Sequence, residues 1–189
     1  MATELSPQAR RRLLEIARQS MEAAVRRQPP PQFQVTEPEL QVKRGAFVTL
    51  KNRGRLRGCI GRFTSDEPLW KVVADMARSS AVEDFRFFAN PITPQELPQI
   101  TVEISVLSPM EKIENPLDIQ LGVHGIYVQG PGGRAGTYLP QVATEHNMTK
   151  EEFLSSCCAH KAGLSPNAWR TGEAEVFVYT AEVFSEEDL

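Results

Sequence analysis

Three cysteines in 189 residues, Cys59, Cys157 and Cys158, are too few and too badly spaced for a disulfide framework. An odd number leaves at least one thiol free, and adjacent cysteines do not bridge each other comfortably, so a reduced, cytoplasmic protein is expected. No apolar run approaches the roughly 20 residues of a membrane span, and Met1–Arg12 holds Glu4 and three arginines in place of the apolar stretch of a secretory signal. Positive charge is also lacking. Twenty-one Lys and Arg against 24 Asp and Glu leave a net charge of −3, without the overall basic field of a dedicated duplex-DNA binder. Aromatic residues make up only 7%, and none interleaves Arg55 and Arg57, so a nucleic-acid stacking platform is not expected there.

What is present is enough apolar material for a core. Hydrophobic residues reach 41%, which suits one folded domain or two closely joined halves, since domains commonly take about 100–200 residues. Ser6–Pro7 starts a helix whose apolar positions Leu13, Ile16, Ala17, Met21, Ala24 and Val25 recur at helical spacing until Pro29. The six arginines on its other side read as a solvated face. Ala46–Leu50, the turn residues Asn52–Gly54 and Arg55–Arg62 form a hairpin. Ser65 or Asp66 is placed to cap the next helix, buried along Leu69, Val72, Val73, Met76, Ala77 and Ser80. A strand follows, with Ile100, Val102, Ile104 and Val106 on one side and Thr101, Glu103 and Ser105 on the other.

The second part repeats that order: strand His124–Val128, turn Gly130–Gly133, strand Ala135–Leu139, helices, and a last strand from Glu175 to Phe184. Thr149 and Glu152 fit a capping box, and Gly163 is placed to end that helix. The expected fold is α+β: a single domain over 1–189, with two related strand-strand-helix-strand halves, roughly 1–110 and 111–189, and mostly antiparallel sheets. The acidic end Glu186–Asp188 is expected to fray.

Chemistry concentrates in Leu56-Arg57-Gly58-Cys59-Ile60-Gly61. Glycines let backbone approach another group closely, and arginines beside a thiol favour the thiolate and bind carboxylate or phosphate. Strand alternation would set Arg57 and Cys59 on one face. Cys59 is the candidate nucleophile or redox thiol, with His124 and Glu103 as candidate bases or orienting groups. Arg57, Gly58 and Gly61 are candidate ligand contacts, and Asp84 with Arg86 is either functional or a structural pair. Cys157, Cys158, His146 and His160 lack the paired spacing of a zinc site, so no metal is expected. Gly130–Arg134 lacks the lysine and hydroxyl residue of a phosphate loop.

These segments, with Pro68-Leu69, Asp84-Phe85-Arg86-Phe87, Glu103 to Pro109, Gly122-Val123-His124-Gly125-Ile126, Leu139-Pro140-Gln141-Val142-Ala143, Lys161-Ala162-Gly163-Leu164 and Trp169, occur in an order that closely resembles the AMMECR family. The resemblance spans nearly the whole chain. It implies an α+β fold of two related halves and a function built on the Leu56–Gly61 motif, and it adds Gln141 to the candidate ligand contacts. Microbial members look like component A of the AmmeMemoRadiSam system, which implies a MEMO-type protein and a radical S-adenosylmethionine enzyme as partners, any cofactor belonging to them. A small anionic ligand, bound or transformed, is the leading expectation. A non-catalytic module that docks a protein or a nucleic-acid backbone is the alternative. Met148 stands where the family commonly has tryptophan, Phe88-Ala89-Asn90 lengthens the link after Phe87, and the cysteine before Lys161 is shifted by one residue.

Overall fold

The computed structural model describes residues 4–188, so the first three positions of the Met1–Arg12 stretch and Leu189 lie outside the described residues. The chain divides into two compact units: Met1–Leu107 with Glu182–Leu189, and Ser108–Ala181. Each has its own apolar core. No helix among the described residues is long and apolar enough to cross a membrane.

In the first unit, α1 (Pro7–Val25) starts at Ser6, whose hydroxyl accepts from Ala9 N–H. Strands β1 (Ala46–Asn52) and β2 (Arg55–Arg62) pair antiparallel, and β1 also pairs with β3 (Ile100–Leu107). With β8 (Ala181–Ser185) they form a sheet ordered β2-β1-β3-β8, so β2 is an edge. The α2 helix (Leu69–Val82) buries Leu69, Val72, Val73, Met76 and Ala77, which join Val48, Leu50, Val102 and Ile104 from the sheet in one core. Neither Ser65 nor Asp66 caps α2. Pro68 stands at that position, and the Ser65 hydroxyl is spent on the N–H of Glu67. The acidic end is held rather than frayed: Glu186 accepts from the Arg18 guanidinium and from Val102 N–H.

The arginine side of α1 is partly committed inside this unit. Arg10 pairs with Glu182 at 2.8 Å, and Arg18 also donates to the carbonyls of Leu97 and Ile100.

The second unit has a sheet ordered β4-β7-β5-β6, from β4 (Glu111–Lys112), β5 (Gly125–Gln129), β6 (Ala135–Tyr138) and β7 (Glu175–Tyr179). The expected final strand is therefore two, β7 and β8, which join different sheets on either side of Thr180. Between β6 and β7 lie α3 (Pro140–Glu145), α4 (Lys150–Ser156) and α5 (Ala168–Thr171). Thr149 and Glu152 form the capping box of α4. The chain then widens into a π-helical turn, Cys157–Lys161, closed by Ala162 N–H to the Cys157 carbonyl at 3.0 Å. Both adjacent cysteines end fully buried, and burial pushes the Cys157 thiol up to about 12 and raises that of Cys158.

Sixteen basic and sixteen acidic side chains balance in the first unit, whereas five and eight give the second all of the net negative charge.

Candidate functional site

The Leu56–Gly61 segment is the edge strand of its sheet, and each of its residues is held differently. At Gly58 the α2 helix comes so close that a Cβ would lie 1.9 Å from the Ser80 carbonyl oxygen. From that contact the Ser80 side chain enters the β1–β2 ladder: its hydroxyl accepts from Ile60 N–H at 2.9 Å and donates to the Val48 carbonyl at 2.8 Å. At Gly61 the space of a side chain is taken by the Phe47 ring, which packs edge-on against Phe63. The motif glycines thus serve close packing by a helix and a ring.

Cys59 is opposite Thr49, and Thr49 is opposite Glu103, so thiol, hydroxyl and carboxylate form a row across three strands. The Thr49 hydroxyl donates to the Cys59 sulfur at 3.2 Å. Glu103 is engaged by Lys51 at 2.8 Å. The outer backbone groups of Cys59 are occupied by one ion pair: its N–H donates to Asp84 Oδ2 at 3.0 Å, and Arg86 donates to its carbonyl at 3.2 Å. Asp84 and Arg86 are joined at 2.6 and 2.9 Å. Hydrogen bonds from Arg86, and then from the backbone of Cys59 and Arg86, outweigh burial and hold the Asp84 carboxyl at about 2. The pair fills positions where another strand would otherwise add, which blunts this edge at Cys59.

Arg57 does not share the face of Cys59 in a regular alternation, because the register shifts between Leu50 and Lys51: Leu50 is opposite Gly58 while Lys51 is opposite Leu56. Arg57 is the extra residue of this bulge, and such residues re-aim a side chain. Its guanidinium meets Glu96 at 2.6 and 3.1 Å and donates to the Asn90 carbonyl at 3.0 Å. Glu96 also accepts from Asn52 at 2.9 Å, and these bonds hold its carboxyl below the usual range.

Above the Arg57–Glu96 pair opens a cavity of about 630 Å³, lined by Asn52, Arg53, Arg55, Leu56, Arg57, Asn90, Glu96 and Gln99. Three guanidiniums against one carboxylate make it cationic. Arg53 and Arg55 are exposed and have no ion pair or side-chain hydrogen bond among the described residues. Arg53 occupies the first central position of a two-residue hairpin turn with φ +49°, followed by Gly54 at +78°. This turn favours Asn or Gly, so an arginine there keeps its charge at a backbone cost.

The other predicted residues lie elsewhere. His124 is in the second unit, its Nδ1 accepting from Gln120 N–H at 3.2 Å just before β5. Gln141 is exposed in the first turn of α3. His146 and His160 line a separate cavity of about 480 Å³ in that unit, together with Met148, Glu152 and Ser155. Among the described residues no group of three His, Cys, Asp or Glu side chains is arranged to hold a metal ion.

Sequence order hides one arrangement. The 3-10 turn Phe85–Phe87 packs against β2, and the Phe87 ring receives both Arg57 and Arg86, at 5.7 and 5.6 Å from its centre. Phe85 and Phe88 turn outward, 78% and 63% exposed. Aromatic rings and arginines that are 30 positions apart in the chain therefore form one surface.

The AMMECR1 family model matches residues 14–184. A protein of Thermococcus gammatolerans is 42% identical over 93% of this chain and 89% of its own, and one of Methanothermobacter thermautotrophicus is 40% identical over 97% of each. The crystal structure of an uncharacterized protein from Pyrococcus horikoshii matches with a TM-score of 0.78 at 39% identity, covering 93% of this chain and 90% of that one.

Proposed function

The chain belongs to the AMMECR1 family, and from that premise we propose that it is an anion-binding domain whose ligand carries a carboxylate or phosphate group. The observation that carries this reading is the cavity at the tip of the β1–β2 hairpin, with two guanidiniums, Arg53 and Arg55, left unneutralised at its mouth. Glu96 is the counter-charge of Arg57 and fixes its fork, so Arg57 forms a preorganised wall and supplies its remaining N–H groups. In this reading the MEMO-type protein and the radical S-adenosylmethionine enzyme are the partners that act on the bound molecule, in the cytoplasm, and this domain presents it.

Titration of the isotope-labelled protein with inorganic pyrophosphate, followed by amide NMR, tests the reading. Saturable shifts confined to residues 52–57, 90, 96 and 99 are expected. Absence of shifts at these positions up to about 10 mM, where even a weak site of about −4 kcal/mol would fill, contradicts it.

A second reading is favoured by the hydroxyl that donates to the Cys59 sulfur. The hydroxyl fixes the sulfur on the sheet face, where Cys59 suits a nucleophile, with Glu103 two strands away as the carboxylate of the row. It predicts that Thr49→Val slows alkylation of Cys59 at neutral pH; an unchanged rate removes it.

A further inference from the structure

We infer that the anion taken by this cavity is the phosphate backbone of single-stranded nucleic acid, with bases stacked on Phe85 and Phe88. The inference rests on the anion-binding reading and adds the class of ligand. Its observation is the surface made by the Phe85–Phe88 turn and the hairpin tip. Two large rings stand out from a chain with few aromatics, at 78% and 63% exposure, on either side of a third ring clamped by Arg57 and Arg86. An exposed phenylalanine forgoes the free energy of burial, so an outward pair of rings on one turn marks a surface awaiting a partner.

The chemistry of the surroundings selects that partner. Asn90, which accepts from Arg57, lines the cavity, and the Phe87 ring rests against Arg57 of the cavity wall, so the turn that carries the exposed rings borders the cationic cavity. Arg57 and Arg86 are each paired with one carboxylate; Arg57 is mostly buried and forms the wall, whereas Arg86 keeps an edge toward solvent. Arg53 and Arg55 have no ion-pair partner among the described residues. An arrangement of separate rings and guanidiniums fits a strand in which flat bases alternate with phosphates, and it fits poorly a double helix, whose bases are not free to stack. The first unit has no net charge, so binding depends on this local cluster, and only a small number of phosphates is engaged.

The test is the anisotropy of a fluorescent oligouridylate of about eight nucleotides, titrated with the full chain between about 50 and 200 mM salt. Two phosphates neutralised by Arg53 and Arg55 predict a slope of log affinity against log salt of about −1.4, reduced by about 0.7 in Arg53→Asn. Phe85→Ala and Phe88→Ala, both at exposed sites, are expected to weaken binding about tenfold without changing the slope, because they remove stacking and no charge. An abasic oligomer of equal length, which loses both stacks, is expected to bind about a hundredfold more weakly.

Equal binding of the abasic oligomer, or of a polyglutamate peptide, overturns base stacking and makes the ligand a phosphate chain or an acidic polypeptide. No binding of oligouridylate while pyrophosphate still shifts the cavity overturns the inference and leaves the anion-binding reading in place. Failure of both probes removes both.

Discussion

Gly58 and Ser80 are locked together: the helix carbonyl of Ser80 occupies the space a Gly58 side chain would need, and the hydroxyl of the same serine is the bridge between Val48 and Ile60. One residue of α2 thereby fixes the distance and register of the edge strand that carries Arg57 and Cys59. Gly58→Ala must push backbone against backbone, and a loss of about 3 kcal/mol in unfolding free energy is expected from denaturant titration. A loss below about 0.5 kcal/mol would mean that α2 is free to move.

Ser80→Ala tests the other side of this lock. Removing the hydroxyl leaves an N–H and a carbonyl facing each other across a gap in the core, so destabilisation of about 2 kcal/mol is expected by the same titration. A neutral result would show that β1 and β2 close up and pair directly.

Arg53 separates stability from binding. Arg53→Asn places a residue that tolerates positive φ in the hairpin turn, so a gain of about 0.5–1 kcal/mol is expected. The same change removes one of the two free cations at the cavity mouth and is expected to weaken pyrophosphate binding. A variant both less stable and equally competent in binding would contradict the assignment of Arg53 to the ligand.

Asp84 makes stability depend on acid. Its folded carboxyl, at about 2, lies below its ordinary value of 3.8, so it contributes fully above about pH 4, and the contribution is lost as pH falls through about 2. The amount is about 2 kcal/mol at neutral pH. Asp84→Asn is expected to lower stability at pH 7 and to flatten the profile between pH 4 and pH 2. Parallel profiles of the two proteins would show that the Arg86 pair adds nothing.

The three thiols are expected to divide sharply. Native alkylation followed by peptide mass spectrometry should label Cys59, which is half-buried, while Cys157 and Cys158 react only on unfolding, because burial raises both thiols and closes access. Labelling of Cys157 at a rate near that of Cys59 would show that the π-helical turn opens.

Patterns of period and punctuation were legible in the amino-acid order. Ser6–Pro7, the Asn52–Gly54 turn and the Thr149–Glu152 box act locally, so their residues alone indicate helix starts and a hairpin. The strand break at Thr180 was not legible, since Glu175–Phe184 is uniformly strand-like and only the sheet topology divides it. The site was half legible. Arg57 and Cys59 stood out by composition, but the bulge that separates their directions depends on register with β1. Glu96, Asn90 and the outward Phe85 and Phe88 come from loops whose positions are set by tertiary packing, with no periodic signal of their own. The unpaired state of Arg53 and Arg55 appears only once the partners of Arg57 are known.

The most direct measurement is the affinity for inorganic pyrophosphate by calorimetry, comparing the native chain with Arg53→Asn/Arg55→Ala and with Thr49→Val. Saturable binding by the native chain, a loss of at least tenfold in the double variant, and no change in Thr49→Val, whose effect is confined to the Cys59 face, are expected. Equal affinity in the native chain and the double variant would contradict the placement of the anion at the hairpin tip.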